Sequence, residues 1–411
     1  MKKVLLISRG YYPSDLPSAH RVAKFAKYLP EFGWEPAVIC ANWNRTNSMG
    51  CFDPELMDKD TFKVVRIPYI THDDRSISGL IDRFSRKILP VFYPFQLFRD
   101  MRRSAVELTT LIQFDAIIAT SPPYITLNIA DCIHQKKGIP WIADFRDLAD
   151  EFADGNKWIK RLHVKQEKIL CASSIAMTTV SQPLADILST RYESPVHVVY
   201  NGFDPDDFTS LKADDNEYFT IVYCGLIYSD RTPSLLFDAL DLILDQGKSD
   251  LSRLRVRFYG VHHDELSRYF KGKSCKRLIQ TMGRVPFHAI VEIERKASVL
   301  LLLTHSNSKG IMTSKIFEYL AAGKPILSVP GDGDVTDKLI QETKAGIVCG
   351  SSDRLADIIL NWYREWETTG YVHYSGLSDK INFYTRKNQT RSMAQLLDTI
   401  LSRVGEHEKR R

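Results

Sequence analysis

Short apolar, β-branched runs alternate along the chain with longer segments in which apolar residues recur every three or four positions. The runs have the character of buried strands, and the longer segments have the spacing of one-sided helices. Strands are predicted at 3–8, 36–41, 115–119, 139–143, 175–180 and 196–200, and again at 219–224, 254–259, 278–282, 298–303, 325–329 and 346–349. Helices are predicted over 22–29, 100–113, 124–136, 157–172 and 181–190, and between the later strands. This alternation is typical of α/β doubly wound parallel sheets.

The pattern occurs twice, and the two series are separated by an acidic, turn-rich stretch, "NGFDPDDFTSLKADDNE". A chain of 411 residues is also too long for one ordinary core. We therefore predict two Rossmann-like domains, 1–205 and 206–386, with a ligand-binding cleft between their carboxyl edges. A helix at about 387–402 has apolar residues on one face and is expected to pack back on the first domain.

Composition excludes several classes of protein. Apolar residues make up 44% of the chain, charged residues 26%, and the net charge is only +5, so no nucleic-acid partner is expected. The seven cysteines show no CxxC spacing, which favours buried free thiols in a reducing cytosol. The first apolar run stops at Arg9, and the uncharged stretch Ile88–Phe98 is shorter than the roughly 20 residues that span a bilayer. A cytoplasmic protein is expected, with attachment to the inner face of the plasma membrane as the alternative.

The segment "TSKIFEYLAAGKP", residues 313–325, carries the first candidate site. A helix is expected to begin at Thr313 or Ser314 and to end at Gly323. The free N–H groups of its first turn, the helix dipole and Lys315 would together hold a phosphate. Glu318 would accept hydrogen bonds from a sugar's hydroxyls, so one nucleoside diphosphate could satisfy both groups. The alternative is a capped helix with a solvated glutamate.

Several segments together resemble the retaining GT-B glycosyltransferases of family 4 that build bacterial polysaccharides and glycolipids. They are "TSPPYITLNIA", "WIADFRDLADE", "VVYNGFD", "CGLIYSDRTPSLLFDAL" and "TSKIFEYLAAGKPILSVPGDGDV". The resemblance implies that Thr313, Ser314 and Lys315 bind the donor diphosphate and that Glu318 binds the ribose. The family usually has a second glutamate eight residues before Glu318, which contacts the transferred sugar, but this chain has Gly310 there.

The resemblance also implies a diphosphate-binding loop after the strand that ends at Cys224. An arginine usual in the family is replaced by Leu226, and Arg231 stands where a lysine is expected. One guanidinium can clamp a phosphate with two hydrogen bonds, so Arg231 is predicted to bind it and to act in catalysis with Lys315. Gly225 and Val285 complete the predicted nucleotide-binding residues on this domain.

On the first domain, Pro17 and Ser18 replace a glycine pair that approaches the phosphate in the family. Ser18 is predicted to contribute its side chain, with His20 or Arg21 as alternatives. Asp144 follows a strand at the expected cleft and is predicted to orient or deprotonate an acceptor hydroxyl. The other predicted acceptor-side residues are Ser121, Arg146, Asp147 and Asn201, although Asp147 could instead cap the next helix.

The triplet Asp332–Asp334 resembles an Asp-any-Asp metal motif of a different glycosyltransferase fold. It joins a strand to a helix here, so we interpret it as a loop and helix N-cap. No metal site is expected, and no cofactor other than the nucleoside-diphosphate-sugar donor.

The segment 80–103 combines six basic residues, two acidic residues and five aromatic residues. This combination suits an anionic membrane surface or a lipid-linked acceptor. The alternative is an amphipathic helix and loop packed on the sheet.

The hypothesis from sequence is therefore a metal-independent retaining glycosyltransferase that transfers a sugar to a glycan or lipid-linked acceptor, in surface polysaccharide biosynthesis. The catalytic residues would be Arg231, Lys315 and Asp144. One alternative is a non-catalytic protein that binds a nucleotide sugar or glycan. The other is a nucleotide-sugar epimerase. The donor base, the sugar, the acceptor and the linkage are not predicted.

Overall fold

The computed structural model describes residues 1–14, 17–42, 61–69, 76–148, 156–208, 217–227, 230–247, 250–305, 310 and 312–409. The chain divides into two compact units. The first comprises Met1–Asn201 with Arg386–Arg411, and the second comprises Gly202–Thr385.

The first unit contains a seven-stranded parallel sheet in the order β3-β2-β1-β4-β5-β6-β7. The strands are β1 Lys2–Ile7, β2 Trp34–Asn42, β3 Lys63–Pro68, β4 Ala116–Ser121, β5 Trp141–Phe145, β6 Ala176–Thr179 and β7 Val196–Val198. The helices are α1 Pro17–Tyr28, α2 Ile77–Ile88, α3 Phe95–Leu111, α4 Ile125–Lys137, α5 Lys157–Cys171 and α6 Gln182–Arg191. Parallel strands joined by helices must be covered on both faces, and two buried apolar clusters do so here.

The second unit contains a six-stranded parallel sheet in the order β10-β9-β8-β11-β12-β13. Its strands are β8 Phe219–Cys224, β9 Leu254–Tyr259, β10 Ile279–Gly283, β11 Val299–Leu303, β12 Ile326–Val329 and β13 Gly346–Val348. Its helices are α7 Ser234–Gln246, α8 His263–Phe270, α9 Phe287–Lys296, α10 Lys315–Ala322, α11 Val335–Thr343, α12 Ser352–Thr369 and α13 Ser378–Asn382. One apolar cluster forms its core.

The last helix, α14 Arg386–Lys409, belongs to the first unit and packs against α1. Met393 and Leu397 are fully buried there beside residues of β1 and β2. The chain therefore begins and ends in the same unit.

The predicted fold class is confirmed. All twelve predicted strands are present, with ends that differ by at most two residues. The edge strand β3 was not predicted; it pairs with β2 from Ala37↔Lys63 to Asn42↔Pro68. Lys63 and Arg66 interrupt its apolar pattern, and of its six residues only Ile67 is buried, as an edge position allows.

Of the seven cysteines, six lie in the part of the chain that the structure describes, and all six are free thiols. Five of them are buried and Cys132 is half-buried. Cys51 lies outside the described residues. None of the described helices is long and apolar enough to cross a membrane.

Candidate functional site

Each sheet contains a point at which its strand order reverses. In the first unit the neighbouring strands β1 and β4 flank it, and in the second unit β8 and β11 do so. Ligands of open parallel sheets bind beyond the carboxyl ends of the strands at such points. The loops after these four strands are therefore the candidate ligand-binding loops.

In the second unit, Gly225 follows β8 and lies against the side chain of Lys315. A Cβ atom built on Gly225 would be 2.2 Å from Lys315 Nζ, and the φ angle of Gly225 is +141°. The ammonium group also lies 5.0 Å from the centroid of the Tyr223 ring. The positive φ angle favours glycine at this position, and the close approach shows that the β8 loop and the side chain of Lys315 on α10 are in contact.

Arg231 and Glu318 complete this cluster. Burial lowers the pKa of Lys315, nearby Arg231 lowers it further, and Glu318 opposes the shift. Four residues that were predicted to bind the nucleotide therefore lie close together around the Lys315 ammonium group: Gly225, Arg231, Lys315 itself and Glu318. Two cations side by side repel each other, and an anion with two or more negative charges would relieve that repulsion.

The start of α10 differs in detail from the prediction. The helix begins at Lys315, and Ser314 is its N-cap residue, but the Ser314 side chain makes no capping hydrogen bond. The expected hydroxyl cap is thus wrong for Ser314, and this leaves the helix N-terminus without a side-chain acceptor from its own cap residue. Thr313 directly precedes the cap, and Gly323 ends the helix in the left-handed conformation, as predicted.

Glu294, on α9, was missed by the sequence analysis. It is fully buried and lies next to Glu318, Lys315 and Cys224. Burial raises its pKa well above the usual range, Glu318 raises it further, and Lys315 opposes the rise. The sequence does contain one indication of its burial. Glu294 lies three residues after the apolar Val291, and that spacing places both on the same, buried face of the helix. A neutral Glu294 would leave Glu318 as the charged carboxylate of the pair.

His305 follows β11 and makes an ion pair with Asp230, next to Arg231. Burial acts to raise the pKa of Asp230, but the hydrogen bond and charge of His305 lower it overall. The pair connects the loops after β8 and β11 and was not predicted from the sequence. Val285 lies half-buried after β10, beyond the end of that strand.

The Asp332–Asp334 triplet joins β12 to α11 and is confirmed as a loop and N-cap. Asp332 is the carboxylate that accepts from backbone N–H groups, those of Asp334 at 2.8 Å, Thr336 at 3.0 Å and Asp337 at 3.1 Å. Asp334 accepts from the N–H of Gly310 at 2.7 Å. The φ angle of Gly310 is +80°, a conformation that strains other residues. Among the described residues, no group of three His, Cys, Asp or Glu side chains is placed to hold a metal ion.

In the first unit, Asp144 is fully buried rather than open at the sheet edge. It accepts from Arg21 Nη2 at 2.7 Å, Arg21 Nε at 3.0 Å and Thr178 Oγ1 at 2.7 Å. Burial acts to raise its pKa, but the charge and hydrogen bonds of Arg21 lower it overall. A carboxylate held in this way is a weak base, and the geometry favours a structural role for Asp144. Its predicted contact with an acceptor hydroxyl stays untested.

Arg21 also connects to the segment that follows β7. Its Nη1 atom donates to the carbonyl of Tyr200 at 3.1 Å and to Oδ1 of Asn201 at 3.4 Å. Asn201 and Asp144, both predicted on the acceptor side, are thus held by one guanidinium. His20, one residue earlier, is nearly buried and lies 3.3 Å from the Tyr12 hydroxyl through Nδ1.

The loops after β1, β4 and β5 surround a pocket of about 330 Å³. Its lining residues are Arg9, Gly10, Ser18, Arg86, Pro90, Tyr93, Pro122, Pro123, Tyr124 and Arg146. Ser18 and Arg146 were predicted as site residues. Ser18 packs closely on Gly10, since a Cβ atom at Gly10 would lie 2.9 Å from its hydroxyl.

The remaining predicted acceptor-side residues lie beside this pocket. Ser121 is fully buried at the end of β4, and its carbonyl accepts from the N–H of Arg146 at 2.9 Å. Arg146 donates through Nη2 to the Pro122 carbonyl. Burial raises the pKa of Asp147, and Arg146 opposes the rise. The predicted residues after β4 and β5 are thus brought together.

The segment 80–103 forms the end of α2, a short connection and the start of α3. On α2, four apolar side chains at helical spacing are exposed: Ile77, Leu80, Ile81 and Phe84. The helix is anchored to α5, since His163 lies 2.9 Å from the Lys87 carbonyl and Gln166 donates to the Ile88 carbonyl at 2.8 Å. The α5 helix carries five exposed cations, Lys157, Lys160, Arg161, Lys165 and Lys168. In α3, by contrast, Arg99 pairs with Asp100 and Arg103 with Glu107.

Three solved structures align with nearly the whole chain at low sequence identity. HepE of Anabaena, solved in complex with UDP-glucose, has a TM-score of 0.58 and 14% identity, with 100% of both chains covered. Sucrose-phosphate synthase of Thermosynechococcus elongatus has a TM-score of 0.58 and 11% identity, covering 100% of this chain and 99% of that one. A protein described as a putative UDP-N-acetylglucosamine 2-epimerase of Listeria monocytogenes has a TM-score of 0.57 and 9% identity, covering 99% and 98%. At such identities the likeness shows the fold alone.

Comparison at the level of sequence relates part of the chain to a known family. No curated protein sequence matches the chain, but residues 18–207 match the model of Glycosyltransferase Family 4. The first half of the chain is thus similar to that family, and the two parallel-sheet units have the GT-B fold of the solved structures above.

Proposed function

We propose that the protein is a retaining glycosyltransferase that uses a nucleoside-diphosphate sugar as donor and a glycan or lipid-linked molecule as acceptor. The donor binds to the second unit and the acceptor to the first. The reaction needs no metal and no cofactor beyond the donor, and it contributes to surface polysaccharide biosynthesis on the cytoplasmic side of the membrane.

The cluster of Gly225, Arg231, Lys315 and Glu318 is the observation that carries this proposal. It combines two cations with a helix N-terminus at the point where the strand order of the sheet reverses. A diphosphate fits the two cations and the N–H groups of α10. Glu318 lies one turn further along the helix, where its carboxylate accepts hydrogen bonds from the ribose. HepE, which has the same fold, was crystallised with UDP-glucose, so UDP-sugars are the first donors to test.

The same cations promote departure of the leaving group. Negative charge grows on the diphosphate as the bond to the sugar breaks, and preorganised cations in a partly buried site stabilise that charge. Arg231 therefore acts mainly in the transition state, whereas Glu318 acts mainly in donor binding. The Asp144–Arg21 pair holds the acceptor-side loops in place.

Donor binding tests the proposal directly. A panel of nucleotides and nucleotide sugars is screened by thermal shift, and the affinity of the best one is measured by titration calorimetry. Glu318→Ala should weaken binding by about 1.5–3 kcal/mol, or roughly 10- to 150-fold, because charged hydrogen bonds to the ribose are lost. Glu292→Ala is the matched control and should bind as the wild type does, because the partly exposed Glu292 side chain on α9 pairs with Lys296.

Turnover then separates the roles of the two residues. Arg231→Ala should lower kcat by about 100-fold or more with a smaller effect on donor affinity. If no nucleotide or nucleotide sugar stabilises the protein, the donor assignment fails. Tight donor binding without turnover on any acceptor would instead support a non-catalytic binding protein. Conversion of the donor sugar without an acceptor would support an epimerase.

The pH dependence of donor affinity tests Lys315. Its lowered pKa means that it loses its charge at a pH below the ordinary lysine value, so diphosphate affinity should fall as pH rises through that range. Lys315→Arg should shift this fall to higher pH, because arginine stays protonated. Product anomeric configuration by NMR tests retention, and activity in a chelator tests metal independence.

Attachment to a membrane surface is the last part of the proposal. The exposed apolar side chains of α2 and the cations of α5 lie on two helices that pack together. Such a surface suits the interface of an anionic bilayer, where a lipid-linked acceptor would be found.

A further inference from the structure

The pocket beside β1 and β4 has a marked excess of positive charge. Three arginines, Arg9, Arg86 and Arg146, line it from three separate segments, and none of its lining residues within the described part of the chain is acidic. They come from the loop after β1, from α2 and from the end of β5. Folding thus brings together three cations that the sequence keeps far apart.

Two of these guanidinium groups are already positioned by neighbours. Arg9 donates through Nη2 to the Tyr69 hydroxyl at 3.3 Å and lies 5.2 Å from the centroid of that ring. Arg146 donates to the Pro122 carbonyl, while its Nε atom is buried and has no hydrogen-bond partner among the described residues. An unsatisfied buried donor costs free energy, and a ligand acceptor in the pocket would remove that cost.

The two carboxylates whose charges act on Arg146 do not cancel this positive charge. Asp144 is held by Arg21 and Thr178 on both oxygens. Asp147 interacts with Arg146 and can offset the charge of one guanidinium group, whereas three guanidinium groups line the pocket. The pocket therefore retains net positive charge.

The rest of the pocket wall is largely apolar. Pro90, Tyr93 and Pro122 offer flat apolar surfaces, which suit the carbon skeleton of a sugar or glycerol unit. Arg86 lies two positions after Phe84 on α2, so it faces the pocket from the side of the helix opposite the exposed apolar side chains.

We propose that this pocket binds a phosphate group of the acceptor, with Arg9, Arg86 and Arg146 as its ligands, so that the acceptor class is a phosphorylated molecule. The assignment as acceptor rests on the proposed glycosyltransferase function. The binding of phosphate itself does not.

Calorimetric titration with small phosphates tests this inference without turnover. The ligands are dihexanoyl phosphatidic acid and glycerol 3-phosphate, with dihexanoyl phosphatidylcholine as the reference that lacks a phosphomonoester. The two phosphomonoesters should bind at least tenfold more tightly than the phosphatidylcholine. If the phosphatidic acid binds more tightly than glycerol 3-phosphate, the natural ligand is a lipid-borne phosphate. If the two phosphomonoesters bind equally, it is a free phosphate. Binding of all three ligands with the same affinity, or of none, would overturn the inference.

Single substitutions show whether the phosphomonoester binds in this pocket. Arg86→Ala should weaken phosphomonoester binding about tenfold or more, the loss of one charged hydrogen bond, and Arg86→Lys should restore part of it. Arg86 is exposed, so its replacement is compatible with folding. Lys87→Ala removes the same charge from the same helix but outside the pocket, and it should have little effect.

Arg231→Ala separates this site from the proposed donor site. Its phosphomonoester affinity should equal that of the wild type, whereas a loss in this variant with none in Arg86→Ala would assign the phosphate to the second unit and overturn the inference. Phosphate binding that depends on Arg86, in a protein that binds no nucleotide sugar, would leave the pocket intact and refute the proposed function.

Discussion

At the scale of single residues, Arg21 and Asp144 form a buried ion pair in the first unit. Both side chains are fully buried. Arg21→Ala should lower the free energy of unfolding by roughly 3–5 kcal/mol, because Asp144 would remain buried without its partner charge. Urea unfolding followed by circular dichroism measures this loss.

The exposed pair Arg103–Glu107 supplies the control, since Arg103→Ala should cost about 1 kcal/mol or less. The double variant Arg21→Met with Asp144→Leu should recover much of the stability lost in Arg21→Ala, because neither charge is then left alone. Equal losses from Arg21→Ala and Arg103→Ala would show that the buried pair has no special weight.

The sequence correctly predicted that candidate site residues lie in one cluster where they belong to a single short motif. Lys315 and Glu318 lie in one segment whose spacing already indicated a phosphate and a sugar. Arg9 and Arg86 were not predicted as ligands, because nothing in their local sequence shows that they share a pocket. Glu294 was missed because a glutamate in a helical pattern is usually solvated, and its burial depends on packing of the whole unit.

At the scale of helices and strands, apolar runs predicted the central strands well because those strands are buried on both faces. The edge strand β3 carries Lys63 and Arg66 and lacks such a run. The region 80–103 was open to two interpretations, a membrane face or a packed helix and loop. The structure places α2 on α5 yet leaves one apolar face exposed, so packing accounts for only part of the pattern.

That exposed face gives a prediction for α2. Leu80 and Phe84 are 52% and 58% exposed, and replacing both by aspartate should reduce sedimentation with anionic vesicles by about tenfold or more, because apolar burial is lost and negative charge is added. Binding by the wild type should also weaken at higher salt.

Leu111→Asp is the matched control for this experiment. Leu111 is 78% exposed at the end of α3, outside the α2 face, so its replacement should leave sedimentation unchanged. Wild-type protein that fails to bind anionic vesicles at moderate salt would remove the membrane surface from the proposal, and equal losses in all variants would show that α2 is not the contact.

At the scale of the whole molecule, the chain closes its first unit with its last helix. Asp398 on α14 accepts from Trp34 Nε1 at 3.0 Å and forms an ion pair with Lys2. Met393 and Leu397 are buried in the cluster that also contains Val4, Val38 and Phe25. The core of the first unit is therefore incomplete until α14 has folded onto it.

The stability of the first unit should accordingly respond to a change near the C-terminus. Leu397→Ala leaves a cavity among α1, β1 and β2 and should cost about 2–5 kcal/mol. Hydrogen exchange by mass spectrometry should show faster exchange in β1, β2 and α1, with little change in β8 and β11. Ile359→Ala, at a fully buried position on α12 of the second unit, should show the reverse distribution. If α14 completes the core, loosening it should also speed exchange in the strands that it buries. Faster exchange confined to α14 in Leu397→Ala would therefore mean that the rest of the first unit is stable without this helix.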